Sequence, residues 1–320
     1  MDLILQNLVS PIVLSFALGM IACWVRSDLE IPGALYQGLS IYLLFAIGLK
    51  GGVAVSQTPI AELLAPAIAT CILGILTPIS AFLLLRYFGG LSRIDASATA
   101  AHYGSVSAVT FIAALEAAKA AGFEPEGYLA ALVAILEIPG IIVGLMLAQN
   151  LRGGGINKAI HEILTGKSIL LLIGAMVIGT VCGAQKVESV APFFITPFKG
   201  VLCLFLLELG IVAARRMKDM SQAGWKIILL GCFLPLIHGI AGLVAGILSG
   251  MSPGGASVLG AMVGSASYIA APAAVRIALP QASPGIYLTM ALGVTFPFNL
   301  SVGIPVLIAL APWVDSLVNQ

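Results

Sequence analysis

Charged residues are scarce in this chain, and their scarcity excludes several classes of protein. Only 9% of the 320 residues are charged, and the formal net charge is +1. A nucleic-acid-binding protein shows a clustered excess of Lys and Arg, which this chain lacks. The five cysteines form no CxxC pair, so no thiolate metal site or redox motif is predicted. The sequence therefore predicts no nucleic-acid partner and no resident metal or other cofactor.

The side chains of a membrane-embedded enzyme are also missing. The chain contains no HExxH zinc motif. Its few aspartates lie near the ends of apolar runs, where they form no buried catalytic pair: Asp2, Asp28, Asp95, Asp219 and Asp315. We therefore predict that the protein is not an enzyme.

Apolar residues are what the chain has in abundance, at 60% of the sequence with a mean hydropathy of +1.09. They are grouped into ten runs, and a helix of about 20 apolar residues is long enough to cross a bilayer. The runs are 3–24, 35–55, 62–88, 95–121, 127–148, 168–184, 194–214, 225–249, 254–279 and 284–313. The sequence predicts an all-α polytopic membrane protein with ten transmembrane helices.

The two halves of the chain resemble each other. The stretch Gly104-Ser105-Val106-Ser107 recurs 160 residues later as Gly264-Ser265-Ala266-Ser267, and both stretches fall in the fourth run of their half. A polar, Gly-rich linker, 150–167, separates the halves. We predict two five-helix repeats, 1–149 and 168–320. Because five is an odd number, the second repeat crosses the membrane in the opposite sense, which gives an inverted pair.

The loop charges predict an orientation in the plasma (inner) membrane. The loops that share the linker's side carry eleven basic residues, and the opposite side carries four. Because basic residues accumulate in cytoplasmic loops, the linker is predicted to be cytoplasmic and both termini to lie outside. The four basic residues predicted on the outer side are Lys50, Lys119, Lys186 and Lys199.

Glycines and serines interrupt the fourth and ninth runs at matching positions. Interrupted helices in corresponding places of two repeats are the sequence sign of a transporter binding site. The second half of a broken helix presents free N–H groups and a positive dipole end, which suits a small anion. Alternatively, these glycines and serines serve only to allow close helix packing and to cap helix ends. The candidate anion-binding residues are Gly104, Ser105, Ser107, Gly264, Ser265 and Ser267.

Oxygen-bearing side chains near the breaks suit a small monovalent cation. Glu137 is the strongest candidate, because it is an ionisable residue in the middle of an apolar run, directly before Ile138 and Pro139. Structural pairing of this carboxylate with a buried donor, such as His102, His238 or a serine, is the alternative. Nothing in these residues distinguishes sodium from a proton. The candidate sodium-binding residues are Ser107, Thr110, Glu137, Ser267, Thr295 and Asn299.

Three stretches carry a family resemblance: GSVSAVTF (104–111), GSASYIAAPAAVRIALP (264–280) and LGVTFPFNLSVGIP (292–305). Together with the ten runs, they resemble the sodium-dependent bicarbonate transporter family, known best from cyanobacteria. The resemblance covers nearly the whole chain. It implies a sodium-coupled importer of bicarbonate that works by alternating access, with the anion held between crossed broken helices.

The resemblance also implies a homotrimer and a soluble regulator, similar to the P-II signalling proteins, that docks on the cytoplasmic side. The 18-residue linker 150–167 departs from the family pattern, in which this segment is longer. A sodium- or proton-coupled transporter of another small carboxylate on the same fold is the alternative function, because resemblance transfers fold more safely than substrate.

Overall fold

The computed structural model describes residues 9–148, 158, 160, 161, 164–217 and 224–319. Regular structure in these ranges is entirely helical, with no strand. Besides the four-residue helix Ala191–Phe194, their helices, in chain order, are α1 Pro11–Trp24, α2 Gly33–Gln57, α3 Ile60–Phe88, α4 Arg93–Tyr103, α5 Ala108–Ala120, α6 Leu129–Met146, α7 Lys167–Glu188, α8 Phe198–Met217, α9 Trp225–Leu248, α10 Pro253–Val263, α11 Ala270–Ala278 and α12 Pro284–Val318.

Eight helical segments in the described ranges are long and apolar enough to cross a membrane, so the protein is a polytopic helical membrane protein. The sequence predicts ten. The first predicted run is represented by α1, whose 14 residues begin at Pro11 after the Ser10 cap and are too few to span a bilayer alone; residues 1–8 lie outside the described part. The ninth run is divided into α10 and α11, each too short to span alone. Most of the predicted linker 150–167 also lies outside the described residues.

Matching serines start the first halves of the two broken helices. The Ser92 hydroxyl oxygen accepts a hydrogen bond from the Asp95 N–H at 3.0 Å, which caps α4. The Ser252 hydroxyl oxygen accepts one from the Gly255 N–H at 3.0 Å, which caps α10. Such caps satisfy backbone donors that the first turn of a helix leaves unpaired. The two capping serines are 160 residues apart, the same offset as the two Gly-Ser stretches.

The helices pack as two groups. In the first, called the four-helix group, α1 packs against α8 and α2 packs against α7. Glycines allow these backbones to approach closely: a Cβ on Gly19 would lie 2.0 Å from the Leu207 carbonyl oxygen, and one on Gly52 would lie 2.0 Å from that of Met176. In the second, called the core group, α3, α4 and α6 pack together, as do α9, α10 and α12.

The broken helices lie inside the core group. All residues from 96 to 107 and from 254 to 267 are buried, although the first of these stretches contains His102 and five hydroxyl side chains. α5 packs against α10, and α11 packs against α4. Burying polar groups costs free energy unless they are hydrogen-bonded. The polar groups at the breaks therefore need hydrogen-bond partners within the core group.

Candidate functional site at the helix breaks

The two helix breaks are hydrogen-bonded to each other. The Ser107 N–H donates to the Ser265 hydroxyl oxygen at 2.8 Å. In return, the Ser267 N–H donates to the His102 carbonyl oxygen at 2.8 Å. The Ser265 hydroxyl also donates to the Met262 carbonyl oxygen at 2.6 Å. Ser265 therefore joins the two breaks into one unit, and its hydroxyl is occupied by protein partners.

A second half-helix begins at each break. The Ser107 hydroxyl oxygen accepts a hydrogen bond from the Thr110 N–H at 3.2 Å and caps α5. At the other break, the Ser267 hydroxyl oxygen is 3.4 Å from the Ala271 N–H, and Ile269 provides no side-chain cap to α11. Two helix N-termini with incompletely satisfied donors and partial positive charge therefore meet at the breaks.

A small cavity lies between the breaks. Its free volume is about 10 Å³, which is room for about one water molecule. The side chains around it include a carboxylate from α6 and hydroxyls from both breaks and from α7. Its lining residues are Val106, Ser107, Ala108, Glu137, Ser168, Ser267, Tyr268 and Ile269. We call this space the break cavity.

Glu137 reaches the break cavity because α6 packs directly on the first break. A Cβ on Gly140 would lie only 1.6 Å from the Gly104 carbonyl oxygen, so the two backbones are in contact. This contact places Glu137, about one turn earlier in α6, beside the cavity. The Glu137 side chain is 5% exposed. No hydrogen-bond or ion-pair partner for it is found among the described residues.

The histidines considered as partners of Glu137 have other contacts. The His238 Nε2 lies 2.7 Å from the Ser80 hydroxyl. The His102 Nδ1 lies 2.7 Å from the Ala98 carbonyl oxygen, and the His102 ring stacks on Tyr287. In the described part of the chain, pairing of Glu137 with either histidine is therefore not observed.

The remaining predicted anion-site residues surround the break cavity without lining it. Gly104 packs against Gly140 and Pro78, and Ser105 is buried with its hydroxyl unpartnered among the described groups. Gly264 packs on the Pro235 carbonyl oxygen. These residues set the close approach of the helices at the breaks.

The three other predicted cation ligands are also outside the break cavity. The Thr110 N–H is bonded to Ser107. The Thr295 hydroxyl donates to the Gly231 carbonyl oxygen at 2.7 Å. The Asn299 side-chain amide donates to the Gly264 carbonyl oxygen at 2.8 Å and so supports the second break from α12. Of the predicted residues, the structure thus brings Ser107, Ser267 and Glu137 together at one cavity.

Ser168 lines the break cavity and was not among the predicted site residues. It is the second residue of α7 and is 8% exposed. In the sequence it stands at the beginning of an apolar run, directly after the linker, so its position indicates only a helix end. Its place at the cavity depends on how α7 of the four-helix group packs beside the core group, for which the sequence carries no local signal.

The break cavity combines both electrostatic signs. The N-termini of α5 and α11 carry partial positive charge, and the Glu137 carboxyl group, together with the hydroxyls, provides oxygen ligands of the kind that hard cations prefer. No group of three or more His, Cys, Asp or Glu able to hold a metal ion is present in the described ranges. The arrangement suits binding of a small anion and a small cation next to each other.

Comparison with known proteins identifies the family. The search of curated proteins found no match to this chain. The family model of the Na⁺-dependent bicarbonate transporter superfamily matches residues 11–312, which is nearly the whole chain. The chain therefore belongs to the Na⁺-dependent bicarbonate transporter superfamily, a family of membrane transporters and not of enzymes.

Proposed function

We propose that the protein is a secondary active transporter that imports bicarbonate together with sodium by alternating access. The observation that carries the proposal is the break cavity, where two hydrogen-bonded helix breaks and the buried Glu137 carboxyl group meet. Family membership supports bicarbonate as the substrate and sodium as the coupling ion.

In this proposal, the anion binds to the N–H groups at the starts of α5 and α11 and to the serine hydroxyls of the breaks. Sodium binds beside it at Glu137. Each ion alone would be costly to transfer from water into a buried site, whereas the pair neutralise each other. Mutual neutralisation is the physical reason for coupled transport. Thr110, Thr295 and Asn299 remain candidates for a further sodium position, which would require the side-chain hydrogen bonds of Thr295 and Asn299 to rearrange.

The proposed architecture consists of two inverted repeats, 1–149 and 168–320, joined by a cytoplasmic linker at 150–167, with both termini outside. Two observations support it. The capping serines and the breaks recur at the same offset of 160 residues. The packing of α1 with α8 corresponds to that of α7 with α2 under exchange of the repeats, as an inverted pair requires.

The position of the cavity between the two helix groups supports alternating access. Ser107, Glu137 and Ser267 belong to the core group, whereas Ser168 belongs to α7 of the four-helix group. A bicarbonate ion has four heavy atoms and needs several times the space of one water, so the cavity has to widen to accept it. We propose that the core group moves against the four-helix group, which opens the cavity to one side of the membrane at a time.

Two parts of the proposal rest on family resemblance alone. They are a homotrimer in the plasma (inner) membrane and a soluble P-II-like regulator on the cytoplasmic side. Linker 150–167 is the segment between the repeats that such a regulator would meet, and most of it lies outside the described residues.

Uptake into proteoliposomes tests the proposed function. The purified protein is reconstituted, and labelled bicarbonate uptake is measured with an inward sodium gradient and with a matched potassium gradient, at a pH where bicarbonate predominates. Accumulation above equilibrium with sodium only is the expected result. If folded protein accumulates no bicarbonate under sodium, the proposal fails, and other small carboxylates are then tested under the same gradient.

Removing the break hydroxyls that line the cavity should impair transport specifically. We expect Ser107→Ala and Ser267→Ala each to lower sodium-driven uptake about tenfold or more, which corresponds to about 1.4 kcal/mol or more of lost transition-state stabilisation. The measurement is the initial uptake rate per amount of folded protein.

Ser92→Ala is the matched control for these two variants. It removes a helix cap of the same type from α4, at a cost in stability of about 1 kcal/mol, without touching the break cavity. If Ser92→Ala reduces uptake as strongly as Ser107→Ala, capping alone explains the serines.

A further inference from the structure

A second polar cavity lies at the far end of α5 from the break cavity. Its free volume is about 120 Å³. It is bounded by α2, α5, the start of α6 and Phe198 at the start of α8. Its titratable lining residues are Lys50, Glu116, Lys119 and Glu126. We call it the basic cavity, because Lys199 pairs with Glu116 at its edge and brings the count to three lysines against two carboxylates.

Three lysines from three helices surround one buried carboxylate at this cavity. Glu116 is 6% exposed, and its two oxygens are paired with Lys119 at 3.3 Å and with Lys199 at 2.9 Å. Lys50 is close enough to interact electrostatically with all three of these residues. Its Nζ lies 5.7 Å from the centre of the Phe198 ring, in a cation–π contact. In the described ranges, Lys50 forms no ion pair with a carboxylate.

The second carboxylate of the basic cavity, Glu126, is hydrogen-bonded through one oxygen only, and its buried Oε2 has no hydrogen-bond partner among the described residues. The Glu126 Oε1 accepts a hydrogen bond from the Ser252 N–H at 2.6 Å, at the N-terminus of α10. The positive end of that helix compensates its charge. Lys50, Lys119 and, at the edge of the lining, Lys199 are the lysines of this cavity, and its carboxylates are Glu116 and Glu126. The count leaves an excess of one positive charge, to which the N-terminus of α10 adds a partial one.

Two helices lead from the basic cavity to the break cavity. On α5, Ser107 lines the break cavity, whereas Phe111, Leu115 and Lys119 line the basic cavity. These residues follow one another at intervals of four, so they share one helix face that is about 18 Å long. On α6, Ala130 lines the basic cavity and Glu137 the break cavity, about 10 Å apart along the helix.

The two cavities are separated by apolar side chains. Phe111 is 2% exposed, lies one helical turn beyond Ser107 and closes the end of the basic cavity. Ser168, which borders the break cavity, begins α7, whereas Gly51, which lines the basic cavity, packs near Met176 of α7. Met176 is eight residues beyond Ser168, which is about 12 Å along this helix. The basic cavity is thus displaced from the break cavity toward the end of the bundle that the proposed orientation directs outward.

We propose that the basic cavity is an outer binding site for a small oxyanion, bicarbonate in the proposed function, with Lys50 and Lys119 as its ligands. The ligand class follows from the excess positive charge, which concentrates anions in a cleft with low-dielectric walls. The volume admits bicarbonate with part of its water. Phe111 and Leu115 form the barrier that the anion passes on its way to the breaks. This inference rests on the proposed function and extends it to the outer end of the pathway.

Lys50→Gln is the cleanest variant for a transport test because it breaks no ion pair. We expect the KM for bicarbonate to rise about fivefold and the maximal uptake rate to change less than twofold, as loss of an initial binding site predicts. The double variant Lys50→Gln/Lys119→Gln should show a larger rise in KM. Lys186→Gln, at an exposed lysine outside the cavity, is the control and should leave the KM unchanged. An unchanged KM in the double variant would overturn the inference and leave the proposed function intact.

A labelling experiment tests the site without requiring transport. Leu115→Cys is introduced after the native cysteines are replaced by serine or alanine, and the purified protein reacts with an anionic or a cationic methanethiosulfonate reagent. We expect the anionic reagent to react about tenfold faster, bicarbonate to slow that reaction, and Lys50→Gln/Lys119→Gln to remove the preference. Equal rates for both reagents, or no effect of bicarbonate, would refute an oxyanion site here. Because no uptake is measured, this outcome is independent of the proteoliposome result.

Discussion

Replacement of Glu137 with glutamine is expected to abolish sodium-driven bicarbonate uptake without destabilising the protein. Glu137 is 5% exposed and lines the break cavity without a partner among the described residues. Glutamine keeps the shape of the side chain and removes its charge. If the carboxylate holds sodium, losing this partner of a buried ion costs about 3–5 kcal/mol, which is about a 100-fold or greater loss in sodium affinity.

The thermal stability of the same variant separates a functional from a structural role. A carboxylate that supports the fold would lower the Tm when it is neutralised. A buried, unpaired carboxylate costs desolvation energy in the folded protein, so Glu137→Gln should keep or raise the Tm. Glu188→Gln, at an exposed position at the end of α7, is the control for loss of one negative charge. Sodium-dependent uptake by Glu137→Gln at the wild-type rate would contradict the proposed sodium site.

Gly140→Ala is expected to have the second large effect, on stability. The added Cβ would lie 1.6 Å from the Gly104 carbonyl oxygen and 2.1 Å from its carbonyl carbon. Both atoms belong to the backbone of the first break, so no side-chain rotation relieves the overlap. Overpacking of this kind costs about 1–3 kcal/mol or more, and α6 can avoid it only by moving away from the break and taking Glu137 with it. We therefore expect a lower Tm and impaired uptake together.

Gly174→Ala is the matched control for Gly140→Ala. Gly174 also lies within a helix, but an added Cβ there meets no heavy atom within 4 Å. Because alanine favours the helix over glycine by about 1 kcal/mol, this variant should be as stable as the parent protein or more stable. A Gly140→Ala protein with the parent's Tm and uptake would show that α6 does not need its close approach to the break.

The positions of the helices and of their two interruptions could be predicted from the local sequence. Apolar runs predict helices because backbone N–H and C=O groups in a bilayer must be hydrogen-bonded within the segment itself. Gly104 and Gly264 mark interruptions because two glycine–serine stretches at one offset are unusual in otherwise continuous apolar runs. The structure ends α4 at Tyr103 and α10 at Val263, directly before these glycines. The family resemblance drawn from these stretches is confirmed by the match over residues 11–312.

Side-chain partnerships were less predictable, because they depend on which faces meet. Ser265 and Ser267 look equivalent in the sequence, yet the Ser265 hydroxyl binds the other break and Ser267 lines the cavity. The predicted repeat match, at an offset of 158 residues, pairs Thr295 with Glu137, but the Thr295 hydroxyl is bonded to the Gly231 carbonyl oxygen. A repeat match assigns equivalent backbone positions, and it does not assign the rotamer or the neighbour of a side chain.

By itself, the sequence determined that this protein is helical and membrane-embedded and where two of its helices are interrupted, because hydropathy and glycine act through the local chain. Only the tertiary structure decided that the two breaks are bonded to each other, that Ser168 reaches them from α7, and that Lys50, Lys119 and Lys199 meet around Glu116. These contacts join residues far apart in the chain, and they depend on the close approach of helices at glycines such as Gly52 and Gly140, which no local pattern specifies.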